Sequence, residues 1–182
     1  MKTLKPFEIA FVGLSTGVHE FSFDLNDDFF SFFEGSEISR AALKGTLILL
    51  KKNNMLDLEF IVEGKVELNC DRCLDPYWQS IEVKQMLYVK FGDRFEEQSD
   101  EVVIIPSTES HLEVAQYFYE YIILSLPGKR IHPGGPAPED NCDAQSLAQL
   151  EKYLSDNPSK ENQEDKPADS RWDALNNLKF NN

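Results

Sequence analysis

From Met55 the chain alternates apolar and polar positions: Leu56, Leu58, Phe60, Val62, Val66 and Leu68 fall on one face, with mostly charged residues between them. A period of two marks a half-buried antiparallel strand. Gly64 interrupts the run where a bulge or bend would sit. The alternation recurs before it in Ala41, Leu43, Leu47 and Leu49, and after it in Ile81, Val83, Leu87, Val89 and Phe91. The segment "KKNNML" is short and Asn-rich, as a hairpin turn requires. The pattern predicts an α+β fold whose antiparallel β-meander forms a sheet or a partly open barrel.

Around these strands other periods appear. "FEIAF" and "VHEFSFDL" read as an entry pair of strands. "NDDFFSFFEG" reads as a short helix capped by Asn26 and closed by Gly35. The acidic "GDRFEEQSDE" reads as a loop, and "VVIIP" as one more short strand. After Ser110 the spacing changes to that of a helix, with Ala115, Phe118, Tyr119, Ile122, Ile123 and Leu126 recurring until Pro127. Ser110 and Glu113 have the spacing of a capping box, so one long helix is expected from there, lying across the apolar face of the sheet. Its tyrosines suit core and rim positions. "PGKRIHPGGPAPEDNC" is a Pro/Gly loop, and "DAQSLAQLEKYL" is a short helix with Asp143 as its cap. Residues 155–170 have no large apolar side chain and read as an acidic flexible linker. Residues 171–182 bring back Trp172, Leu175, Leu178 and Phe180 as a docking segment. Residues 1–154 are therefore expected to form a single α+β domain.

Charge narrows the function. The 182 residues carry 18 Lys and Arg against 32 Asp and Glu, for a formal net charge of −14. Most of the excess lies in the second half. A general RNA binder shows a basic footprint, and this chain as a whole would repel RNA. Local exceptions are Lys44, Lys51, Lys52, Lys84 and Lys90 on the strands, and "GKR" at Gly128 to Arg130. The N-terminal stretch has no apolar run of signal-peptide length, and no segment approaches the length of a membrane span. A cytoplasmic protein with no membrane partner is expected.

The candidate chemistry is "LNCDRCLDPYW". Cys70 continues the buried face of its strand, and Cys73 lies in the turn before Pro76. Two thiolates at this spacing can reach one Zn²⁺, which then needs two further N or S ligands. His132 and Cys142 bracket the Pro/Gly loop and would complete a Cys3His set. His111 and His19 are the other histidines and read as surface residues. Two other readings stay open: plain buried cysteines, or a thiol oxidoreductase using Cys70 and Cys73. Against the second, Asp71 and Asp75 flank the pair and a strand follows it, whereas a reactive dithiol is stabilised at a helix N-terminus. No Walker loop, nucleophile elbow, H-E-x-x-H or dinucleotide fingerprint occurs. No catalytic residue and no small-molecule substrate is expected.

Three separated pieces together carry a resemblance: "LNCDRCLDPY" after a long alternating strand, "EYIILSLP" running into "GKRIHP" and then "NC", and "DSRWDALNNLK" after the acidic linker. In this order and spacing the chain resembles the YceD family, the large ribosomal RNA subunit accumulation proteins. The resemblance implies a non-enzymatic role in the synthesis, processing or stability of large-subunit rRNA, and no catalytic residues carry over from it. The family's cysteine pair matches Cys70 and Cys73. The loop after the long helix is richer in cysteines in some members and here keeps only His132 and Cys142. Set against the acidic charge, the resemblance leads to the expectation of a basic ribosomal protein or assembly factor as partner, with contact to rRNA indirect.

Overall fold

The computed structural model describes residues 5–134 and 141–155. The chain divides after Cys142 into two units. The first is built on a six-stranded sheet made by β2 (Gly17–Asn26), β3 (Ala41–Lys51), β4 (Met55–Asn69), β5 (Pro76–Gly92), β6 (Glu96–Ser99) and β7 (Val102–Pro106). Their spatial order is β2-β3-β4-β5-β7-β6. Near the N-terminus a two-residue strand, β1 (Glu8–Ile9), pairs with β8 (Leu112–Glu113). The helices are α1 (Asp27–Phe30), α2 (Ala115–Ser125) and, in the second unit, α3 (Ala144–Ser155). No helix among the described residues is long and apolar enough to cross a membrane.

The alternating residues fall where their period requires. Leu56, Leu58, Phe60, Val62 and Val66 of β4 are fully buried, as are Leu47 and Leu49 of β3 and Val89 of β5. Helix α2 covers this face. Its Phe118 is fully buried and meets Phe60 with ring centroids 4.9 Å apart and Phe23 at 5.3 Å. The approach is so close that a Cβ on Gly45 would sit 2.9 Å from the Phe118 ring. Gly64 answers a different constraint. The register of β4 runs through it without a shift, so it is not a bulge. Its φ of +138° and the Ala42 carbonyl oxygen, 2.2 Å from where a Cβ would stand, leave room for glycine alone.

The structure departs from the sequence pattern in five places. The sheet is open and not a barrel, because its edge strands β2 and β6 do not pair. It is not antiparallel throughout, since β7 lies parallel to β5. The chain leaves β5, forms β6 at the outer edge, and returns as β7 between the two. The acidic stretch read as a loop contains β6, whose four residues are all exposed and so show no apolar alternation. "FEIAF" holds only the two-residue strand β1 between 3-10 turns, and β1 pairs with β8 instead of with β2. The helix after Ser110 begins at Ala115 and has only eleven residues. The Ser110–Glu113 capping box does not form: Ser110 Oγ bonds the His111 ring at 2.7 Å, and Leu112–Glu113 are taken by β8. Two other caps match their sequence signals. Asn26 Oδ1 accepts the Phe29 N–H at 3.3 Å, and Asp143 accepts the Ser146 N–H at 2.8 Å. Residues 135–140 of the Pro/Gly loop, nearly all of the predicted linker and the whole of segment 171–182 lie outside the described residues.

Candidate metal centre

Strands β4 and β5 outrun β3, whose pairing with β4 ends at Ala41 opposite Val66. Beyond it the β4–β5 ribbon continues to Asn69 opposite Pro76, and the turn that closes it holds Cys70 and Cys73. The turn is fastened from inside: Leu74 N–H donates to the Cys70 carbonyl and Cys70 N–H to the Asp75 carbonyl, both at 2.9 Å. Leu74, 77% exposed, is held in the left-handed region with φ +66°. The Arg72 N–H points at Cys70 Sγ from 3.4 Å.

A second strap brings in the segment after α2. Asp71 N–H donates to the Arg130 carbonyl, and Arg130 N–H returns to the Asp71 carboxylate, each at 2.7 Å. Arg130 also pairs with Glu37. This reciprocal bond sets His132 beside the turn, where its ring packs on Tyr77 at 5.2 Å between centroids. Asp71 was legible in the sequence only as a flanking charge; its positioning role appears with the backbone partner.

The four candidate ligands converge. One donor atom from each of Cys70, Cys73, His132 and Cys142 lies within 4.8 Å of all the others. Cys70 Sγ and Cys142 Sγ are 3.6 Å apart, Cys73 Sγ is 3.6 Å from His132 Nδ1, and Cys142 Sγ is 3.5 Å from the same nitrogen. Zn–S bonds of about 2.3 Å and a Zn–N bond of about 2.0–2.1 Å, set tetrahedrally, separate sulfurs by about 3.8 Å and sulfur from nitrogen by about 3.6 Å. The donor set fits a Cys3His zinc site in both chemistry and spacing. His19, bonded to the Ser15 carbonyl, and His111, bonded to Ser110, stand apart from it.

Electrostatics within the cluster are uneven. Burial pushes the Cys70 thiol up, but the backbone N–H groups of Cys73, Arg72 and His132 outweigh it and bring it down to about 6. Cys142 goes the other way, raised to about 11 by burial and by its contacts with the Cys70 and Cys73 sulfurs. Cys142 thus resists ionising beside the other two sulfurs. A divalent cation among them would remove that repulsion, since cysteines coordinate metal in the deprotonated form. Among the described residues no helix begins beside the pair in the chain, since β5 starts at Pro76.

A family model, the large ribosomal RNA subunit accumulation protein YceD, matches residues 58–179. It spans most of the chain, from mid-β4 through the cysteine turn and α2. The chain belongs to the YceD family. No curated protein and no solved structure matches it. The role attached to YceD proteins is thus accumulation of large-subunit rRNA, and the cysteine cluster lies inside the matched region.

The cations considered for RNA contact are largely engaged elsewhere. Lys51 Nζ donates to the Phe11 and Leu14 carbonyls, Lys52 pairs with Asp57, and Lys84 pairs with Glu59. Arg130 of "GKR" is likewise paired, with Glu37.

Proposed function

We propose that this YceD protein is a non-catalytic ribosome-biogenesis factor in the cytoplasm. It supports accumulation of large-subunit rRNA through a basic protein partner, and Cys70, Cys73, His132 and Cys142 hold a structural zinc. The observation that carries the metal is the convergence of three sulfurs and one ring nitrogen, all within 4.8 Å of one another, from residues up to 72 apart in the chain. The metal, when bound, supplies no chemistry beyond cross-linking. Cys70 and Cys73 anchor it to the ribbon tip, while His132 and Cys142 bring the chain after α2 to the same point. The partner is inferred from charge: a chain of net charge −14, whose Lys51, Lys52 and Lys84 are already engaged, is complementary to a basic protein and not to phosphate.

Two measurements test this together. Elemental analysis of native protein is expected to find about one zinc per chain. Affinity capture from cells at low and high salt, with protein and RNA both identified, is expected to retain a basic ribosomal protein or assembly factor at low salt only. Tight binding of purified large-subunit rRNA at physiological salt, with no partner present, would sink the indirect reading.

A further inference from the structure

Strand β5 pairs with β4 from Pro76 to Lys90, but with β7 only from Tyr88 onward. Before Tyr88 its other edge has no strand partner among the described residues. The Tyr88 N–H is turned to that side, where it donates to the Glu101 carbonyl at 2.7 Å. The period of two turns the N–H and C=O of Met86, Lys84 and Glu82 the same way. A row of open backbone groups on a sheet edge is a template for a further strand.

Alongside this edge runs an open groove of roughly 840 Å³, walled by the β6–β7 turn and the C-terminal half of α2. Its charge is predominantly negative. Glu82, Glu97, Asp100, Glu101 and Glu120 line it, and none is in an ion pair among the described residues. The single lining cation, Lys84, is held by Glu59 at 2.6 Å. Tyr117 and Tyr121 form an aromatic wall. Both hydroxyls register the local field: burial raises Tyr117, with Glu97 and Glu120 adding to it, and burial with Tyr117, Glu120 and Glu101 pushes Tyr121 up to about 12. Leu124, 80% exposed, gives the groove an apolar end.

We propose that this groove receives an extended lysine- or arginine-rich segment of a protein partner, which adds as a strand to the free edge of β5 at Glu82–Met86. Backbone hydrogen bonds supply affinity in such strand addition, and alternate side chains supply selectivity. Here the alternate cations meet carboxylates and the faces of Tyr117 and Tyr121, where an ammonium or guanidinium is attracted by the ring. Phosphate is repelled by the same rim. The proposal rests on the reading that the chain acts through a basic protein, and it names the place and the mode.

The test uses the full chain and a capped synthetic nonapeptide of alternating Lys and Val, with a second version N-methylated on every residue so that it offers β5 no N–H on either edge. Fluorescence anisotropy is expected to show saturable binding of the first that weakens with salt and falls at least tenfold on N-methylation. It should fall as far in the triple variant E97Q/E101Q/E120Q, and stay unchanged in E34Q, outside the groove. Amide exchange at Lys84 and Met86 is expected to be fast in the free chain and slowed by the peptide. Equal binding of the N-methylated peptide, indifference to the triple substitution, stronger binding of an rRNA fragment, or protection of those amides before peptide is added would each overturn it. Affinity capture separates this from the broader reading. A ribosomal protein captured equally by wild type and the triple variant leaves a basic partner standing and removes the groove. Peptide binding without any such capture removes the partner reading and keeps the groove.

Discussion

Removing metal from the Cys70–Cys73–His132–Cys142 centre should cost stability that can be sized from the chain. A cross-link between residues 72 apart closes a long loop, and the chain-entropy relation for that length gives about 4 kcal/mol. In a chain of this size each kcal/mol moves the unfolding midpoint by about 2–4 °C, so the midpoint should differ by about 8–16 °C between zinc-loaded and chelated protein. Above saturation, each tenfold rise in free zinc adds about 1.4 kcal/mol. Cys142→Ala removes one of the two ligands that tie the segment after α2, leaving three donors and an incomplete tetrahedral site, and leaves the ribbon turn intact. Its midpoint should match that of chelated wild type and should not respond to zinc. The assay is thermal unfolding followed by circular dichroism in buffered zinc and in chelator. A wild-type midpoint that stays within a degree between the two conditions refutes the clip, whatever the sulfur spacing.

Further tests address the scaffold. Gly64→Ala must place a Cβ against the Ala42 carbonyl in the middle of the sheet at φ +138°, and should destabilise by at least about 3 kcal/mol in urea titration. Leu74→Asn should stabilise by about 1 kcal/mol by the same method, since Asn tolerates the left-handed conformation and the exposed leucine loses little burial. Tyr121 has a folded-state pKa raised to about 12 from an ordinary value near 10, so its contribution is complete below pH 10 and is lost as pH rises from 10 to 12. The ring is only partly buried, which limits this to roughly 1 kcal/mol; Tyr121→Phe should flatten the alkaline fall in stability by that amount, read from unfolding at pH 9 and pH 11.5.

How far the sequence reveals the molecule depends on which interactions were local. The buried faces of β3, β4 and β5 were legible because period-two alternation reports burial directly, and Cys70 was legible as the next position on such a face. The candidate ligand set followed from scarcity: with three cysteines and three histidines in the chain, few residues were available to complete a site. Strand β6 was hidden because both its faces are wet, leaving hydrophobicity nothing to report. The Ser110–Glu113 signal misled because a non-local contact won: Leu112 and Glu113 pair with Ile9 and Glu8, and the Val114 N–H donates to the Phe7 carbonyl, so the helix can start only at Ala115. The parallel placement of β7 and the Asp71–Arg130 strap likewise depend on partners far along the chain.

The overhang of β4 and β5 beyond the end of β3 has its own consequence. Past Val66 β4 loses β3 while β5 there has β4 alone, so each strand has only the other, and an isolated two-stranded ribbon is marginal in water. Fraying should therefore start there, and with the sulfur anchor open the tip becomes the first stretch a protease can grip. The lifetime of the molecule in a cell would then follow the supply of zinc, making its abundance a gauge of metal nutrition for the machinery it serves.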